Sequence, residues 1–289
     1  MKYIFLINSY TVKENVEDLK LKIHEYCKLN KMDHELEVNG NGLETEDILK
    51  KYQKTKYTII AVGGDGIINR ALNCLVNTNN ILGFLPYGTG NDFYKTVSKQ
   101  FKIGNNKCDI IKINDKYFIN TACFGIDADV ANNKNIIKTN LIPKKQKYNI
   151  SLVYNFFKYK CRKFEVQIED RIITDSYATI AICNGTFYGG GYNIGPSSNL
   201  NDGKFEVYLA PKLNKLAMLK LILKMKKGKH ENSKRIEKIV TNKMTIKSPV
   251  KFYCNIDGEK LEDNKFDIEL VKNGITIYYN EDMINKLSK

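Results

Sequence analysis

Two aspartates stand inside glycine-rich corners: Asp65 in "AVGGDGIINRALN", residues 61 to 73, and Asp92 in "YGTGNDF", residues 87 to 93. Each stretch joins an apolar run to a polar, glycine-rich corner, and a strand, then glycines, then a helix start is an arrangement that turns unpaired backbone N–H groups and the positive end of a helix toward an anion. A carboxylate in such a loop repels a phosphate unless it serves something else. It can hold a cation such as Mg²⁺, directly or through water, or fix a loop N–H by an Asx-type bond. A tight turn with a capping Asp explains either corner alone, but two corners on consecutive strands favour a phosphate site with its cation. The standard nucleotide loops do not fit. Gly64 and Gly66 are followed by Asn69 where a dinucleotide fingerprint needs a third glycine, and neither a Walker loop nor the protein-kinase set occurs.

The elements that must position these corners alternate. Tyr3 to Ile7 reads as a strand. Val16, Leu19, Ile23 and Cys27 recur at helical spacing. Tyr57 to Val62 is an apolar strand, Ile67, Ile68, Ala71, Leu72 and Leu75 make a helix, and Ile81 to Leu85 is a further strand. The pattern predicts a parallel sheet covered by helices, with ligands at the carboxyl ends of its strands. After about residue 108 short strands take over: 109–113, 117–124, 164–168, 172–183, 205–209, 244–246, 251–256, 266–270 and 275–279, with "EDRI" and "KNGI" as hairpin turns. Three helices interrupt them, near 128–135, 149–159 and 212–227. The expected fold is therefore α/β with two domains, a parallel-sheet α/β domain and a C-terminal β-sandwich domain with a few helices. We place the first over residues 1–118, with a tail, 278–289, packing back on it, and the second over 119–277.

A chain of 289 residues is long enough to bury a large core without staples. Its seven cysteines are scattered with no C-x-x-C pair, which supports neither a disulfide framework nor a zinc ribbon and points to the reducing cytoplasm. No apolar stretch approaches the length of a membrane span. The net charge of +14 calls for an anionic partner: nucleic acid, nucleotide or the acidic face of a bilayer. That charge is uneven along the chain. Val130 to Phe164 holds nine Lys or Arg and no acid, and Pro211 to Lys247 holds twelve against Glu231 and Glu237. Within Lys212 to Lys227 one arc of a helical wheel is apolar (Ala217, Met218, Leu221, Ile222, Met225) and the other mixes lysines with Leu216, Leu219 and Leu223. The mixed arc suits an interfacial surface, or lysine stems lying over buried leucines.

"GGDGIIN" resembles the motif G-G-D-G-T-x-N, and "PYGTGNDF" resembles P-x-G-T-x-N-D-F, of the bacterial diacylglycerol kinase and sphingosine kinase-like lipid kinases, with NAD kinases more distant. "NTACFGIDADV", "NGTFYGGGYNIGPSSNLNDGKFEV" and "NIDGEK" are similar to further blocks of the same family in the same order. Three positions depart from it: Ile67 stands for the usual Thr, "INSYTVK" for N-P-x-S-G, and Tyr94 for a small residue.

The resemblance implies an ATP- and Mg²⁺-dependent lipid kinase, most simply a diacylglycerol kinase, with ATP bound between a nucleotide-binding first domain and a lipid-substrate second domain. Gly63, Gly64, Asp65, Gly66, Asn69, Gly88 and Thr89 would line the nucleotide, with Asn8, Ser9 and Thr11 as what remains of the first loop. Asp65, Asp92 and Asp109 would organise Mg²⁺. Asp257 would be the general base with Glu259 beside it near the metal, and a structural Mg²⁺ would sit on Asp202 and the carbonyls of Asn199 and Lys204. The partners implied are ATP and a lipid at an anionic membrane surface, not nucleic acid, with a homodimer by family analogy and a peripheral place on the inner face of the plasma membrane. The alternatives are an NAD kinase-like phosphotransferase and a non-catalytic nucleotide- or membrane-binding relative.

Overall fold

The computed structural model describes residues 1–12, 15–40, 42–125 and 161–288. Its first half is built on β1 (Lys2–Asn8), β2 (Asp33–Asn39), β3 (Thr58–Gly63) and β4 (Ile81–Pro86), parallel and in the order β2-β1-β3-β4. β1 and β3 are apolar and buried almost end to end, because helices cover both faces of such a sheet. Those helices are α1 (Val16–Leu29), α2 (Thr45–Lys50), α3 (Asp65–Leu75) and α4 (Asp92–Gln100). α1 starts where the Asn15 side chain accepts from Glu17 N–H, with Glu17 and Asp18 in its first turn and Lys28 in its last, so charge follows the helix dipole.

The second half is strand-rich: β5 (Gly104–Ile113), β6 (Lys116–Phe118), β7 (Thr121–Gly125), β8 (Arg162–Ile168), β9 (Arg171–Cys183), the short β10 (Phe187–Tyr188) and β11 (Tyr192–Asn193), β12 (Phe205–Pro211), β13 (Glu237–Thr241), β14 (Lys243–Ile256) and β15 (Glu259–Tyr279). One helix, α5 (Lys215–Lys226), lies between β12 and β13, and α6 (Glu281–Leu287) ends the chain. A second core, centred on Phe118, Phe124, Phe164, Phe205, Phe252 and Phe266, fills this half.

Strand β15 joins the two halves. Its first part pairs antiparallel with β14 and with β5, and its end runs parallel beside β4, Ile277 opposite Leu82. The main sheet is thus hydrogen-bonded continuously across both cores. The sequence pattern splits β14 and β15 into two strands each because polar residues interrupt the apolar alternation. In the structure the chain bulges and continues. "KNGI" is such a bulge: Asn273 has φ of +52° and the register on β5 shifts between Val271 and Ile275. "EDRI" does turn a hairpin, with Ile168 opposite Arg171. The helices expected near 128–135 and 149–159, and most of the acid-free basic block, lie outside the described residues.

β2, α2, α4, β13 and α6 escape the periodicity reading. α6 packs against α1 and places Met283, Ile284 and Leu287 in the first core. Burial of three such side chains stabilises by about 5 kcal/mol on an area basis. Removing residues 281–289 should lower the urea midpoint by a corresponding amount, whereas removing Lys289 alone should leave it unchanged.

Candidate functional site

The parallel register brings the ends of β1, β3 and β4 to one edge: Ile7 lies opposite Val62, and Gly63 opposite Pro86. The corners that follow β3 and β4 pack backbone on backbone. A Cβ on Gly88 would lie 2.5 Å from Gly64 Cα, and one on Gly64 would lie 3.1 Å from Gly88 Cα. α3 and α4 therefore begin side by side.

Neither helix is capped by its own N-cap side chain: Gly64 has none, and Asn91 sits in the left-handed region at φ of +49° without bonding into α4. Asp65 supplies the cap from α3. Its carboxylate accepts from Asp92 N–H at 3.1 Å and Phe93 N–H at 3.0 Å, the first two amides of α4. Burial pushes the Asp65 carboxyl above the usual carboxylate range, and these two amides oppose that rise.

Asp92, 5% exposed, faces the other way. It accepts from Gly190 N–H of the β10–β11 hairpin at 2.7 Å and pairs with Lys95 Nζ at 3.1 Å. Both carboxylates flank Gly90, whose Cβ would lie 3.3 Å from Asp65 Oδ2 and 3.6 Å from Asp92 Oδ2. Three glycine loops, two acids and one lysine thus converge where two helix N-termini open.

Asp257 and Gly258 form the two-residue hairpin turn between β14 and β15, both at positive φ. The Asp257 carboxylate, 7% exposed, accepts from the successive amides of Ile119, Asn120 and Thr121 and from Asn69 Nδ2 at 3.2 Å. Burial raises its pKa to about 6 against those donors, and the field of Asp65 adds to the rise. Asn69, one turn into α3 from Asp65, also donates to Tyr117 C=O at 3.1 Å. Its amide faces the second half and not the glycine edge. Glu259 is exposed and approaches α3 at Gly66, whose Cβ would lie 3.7 Å from Glu259 Oε1.

The remaining expected residues divide. Asn8 and Thr11 lie against Gly63, while Ser9 Oγ donates to Asn39 C=O at 2.7 Å. Thr89 is exposed at the tip of its corner. Asp109 is fully buried, and its two oxygens accept from Gly203 N–H at 2.8 Å and Asn273 N–H at 2.7 Å. It pins the 199–204 loop and the β15 bulge. Asp202 and Asn199 are exposed and accept from Lys204 and Asn201 N–H in their own loop. Among the described residues no group of three or more His, Cys, Asp or Glu is placed to hold a metal, and no helix is long and apolar enough to cross a membrane.

Lys95 and Asn120 are participants that pattern reading misses. Lys95 follows Asp92 by three, a spacing that puts both on one face of α4. Asn120 gives its N–H to Asp257 and its Nδ2 to Phe187 C=O at 2.6 Å, and accepts from Thr96 Oγ1 at 3.3 Å.

Two helix N-termini at one edge of a parallel sheet, with a strand-rich half hung on it by one long strand, define a two-domain α/β architecture with a candidate anion site. Comparison with known proteins makes this specific. Residues 2–117 match the diacylglycerol kinase catalytic domain, and residues 120–278, more than half of the chain, match the YegS C-terminal NAD kinase beta sandwich-like domain. The chain belongs to this lipid kinase family. It is 30% identical over 234 residues to a "Probable lipid kinase YegS-like" of Klebsiella pneumoniae (strain 342), covering 74% of this chain and 75% of that one. It is 26% identical to a diacylglycerol kinase of Bacillus subtilis (strain 168), with 70% of each chain covered. The fold is shared with a Bacillus anthracis str. Sterne diacylglycerol kinase crystal structure, with a TM-score of 0.72 at 17% identity, over 97% of each chain. Kinase membership implies ATP as phosphoryl donor.

Two glycines separate structural from ligand roles. Ala at Gly88 must displace the Gly64 backbone, and such overpacking costs about 1–3 kcal/mol, read as a lower urea midpoint. Gly66 has ordinary φ and room for a Cβ, so Gly66→Ala should hold stability or raise it by about 0.4–1 kcal/mol. If this glycine serves close approach of phosphates, the same variant should weaken ATP binding at least tenfold by calorimetry.

Proposed function

We propose that the protein transfers the γ-phosphoryl group of ATP to the hydroxyl of a membrane lipid, with diacylglycerol as the acceptor and phosphatidic acid as the product. The observation that carries the reading is the convergence of Asp65, Asp92, Lys95 and the paired α3 and α4 N-termini at one edge, with Asp257 linked to that edge through Asn69. A buried carboxyl raised to about 6 close to the glycine edge favours chemistry over binding alone.

The chain's own groups divide the work. The N-terminal amides of α3, with the backbone of Gly64, Gly66 and Gly88, donate to the phosphates beside the positive end of α4, and Lys95 neutralises charge on their outer side. Mg²⁺ bound with ATP would supply charge compensation for the phosphates. The residues that fit it are Asp65 and Asp92, each an oxygen donor beside Gly90, a chemistry hard cations favour. Asp257 takes the proton from the lipid hydroxyl as its oxygen bonds to the γ-phosphorus and the bond to the ADP oxygen breaks. The donors that hold Asp257 orient it and lower its basicity, while burial restores it to a value useful near neutral pH. Asp109 we assign to positioning, through the 199–204 loop and β15. The protein would work at the inner face of the plasma membrane.

Labelled ATP with mixed micelles of diacylglycerol should yield labelled phosphatidic acid, with sphingosine, monoacylglycerol and NAD as parallel acceptors. Label on NAD and none on any lipid would overturn the proposal. A base acts only when deprotonated, so kcat should fall as pH drops through about 6. In the same group, burial makes ionisation costly. Its contribution to stability is fully present below about 3.9, the unfolded value, and is lost as pH rises through about 6. Asn69→Ala removes a donor that favours the anion, so the acidic limb of the kcat profile should move to higher pH. A limb that stays in place would show that Asp257 is not the titrating base.

A further inference from the structure

We propose that α5 is the element by which the protein docks on an anionic lipid bilayer, an inference that rests on reading the acceptor as a membrane lipid. One face of α5 is seated: Ala217, Met218 and Leu221 are buried, and Met225 packs on the small core of Tyr208 and Ile194. On the opposite side Leu216, Leu219 and Leu223 are 75%, 51% and 59% exposed. At 3.6 residues per turn they fall within an arc of about 60°. Lys220, Lys224 and Lys227 border this stripe on one flank, and Lys215 and Lys226 on the other. From Lys212 to Lys229 there is no acid. The exposure decides between the two readings of this arc, because leucines covered by lysine stems would not stand this far in solvent.

Exposed leucines also occur on α1, at Leu21 and Leu29, but that helix balances Lys20, Lys22 and Lys28 with Glu17, Asp18 and Glu25 and so has no net attraction to an acidic surface. α5 alone among the described helices joins a contiguous leucine stripe to a purely basic border, the pattern of a helix lying in a bilayer interface. Charge also selects the occupant. A second copy docked through the same face would set these lysines against themselves, and an acidic polymer would leave the leucines in water.

The helix is close to the site. It packs on β11, and the glycine that follows it, Gly228, abuts Asn193. The β10–β11 hairpin is the one whose Gly190 amide holds Asp92. α5 and the Asp92 corner of the glycine edge thus contact the same hairpin.

The test is sedimentation of the full chain, without nucleotide, with vesicles of phosphatidylcholine alone or of equal parts phosphatidylcholine and phosphatidylglycerol. Wild type should pellet only with the anionic vesicles, and less as salt is raised. The triple variant Leu216→Ser, Leu219→Ser, Leu223→Ser should bind at least tenfold more weakly with unchanged thermal unfolding. Lys220→Gln, Lys224→Gln, Lys227→Gln should lose most of the salt dependence. Because ATP is absent, a failed kinase assay leaves this result standing, and kinase activity without vesicle binding would refute the docking proposal alone. Equal binding by the leucine variant and wild type, or a wild-type dimer that the leucine variant converts to monomer, would overturn it.

Discussion

The contact on which the site depends is the Asp65 carboxylate at the first amides of α4. Two helices start within backbone contact of each other, and each brings a positive end with unpaired N–H groups. Such ends repel unless an anion lies between them. Asp65 is that anion in the protein itself. Because it belongs to the first residue of one helix and bonds the first residues of the other, it helps to fix their relative position together with packing at the glycine corner. Asp92 then turns outward to Gly190 and Lys95. The acids of the two corners thus have different work: one holds the cradle together, and the other ties the cradle to the strand-rich half.

The junction between halves is made with the same chemistry. Asp257 accepts three successive amides of the 119–121 segment and the Asn69 side chain, while Asp109 accepts amides of Gly203 and Asn273. Buried carboxylates in such nests are costly to desolvate and costly to leave without donors. Each therefore enforces one arrangement of the chain around it. β15 supplies the covalent continuity, and these two aspartates supply the angular precision. For Asp257 the balance of burial against four hydrogen-bond donors leaves a carboxyl that is ionised at neutral pH yet still basic.

Two of the departures from the family pattern, at Ile67 and in the first loop, have a local explanation. Ile67 is buried on α3 and packs over Gly63, so it fills space against the first loop where a Thr would offer a hydroxyl. In that loop Ser9 Oγ is committed to Asn39 C=O and the Asn8 carbonyl accepts from Thr11 and Val12. This leaves the backbone of Gly64, Gly66 and Gly88 as the proposed place for nucleotide contacts.

The strand-helix alternation, the two glycine corners and the asymmetry of charge were legible because each depends on local order: a period, a turn residue, a run of lysines. What residue order could not show is which atoms the aspartates meet. Asp65 caps a helix 27 positions away, Asp109 holds loops near 203 and 273, and Asn69 turns from the glycine edge toward Asp257, because hydrogen bonds form wherever the fold brings a bare amide to an oxygen. Long strands interrupted by polar residues, such as β14 and β15, likewise look broken in one dimension and are continuous only when neighbouring strands satisfy their backbone. Residue types and local spacing determined the chemistry available to this protein. The tertiary structure alone decided how each carboxylate is used, because that depends on partners distant in the chain and on burial that no local pattern encodes.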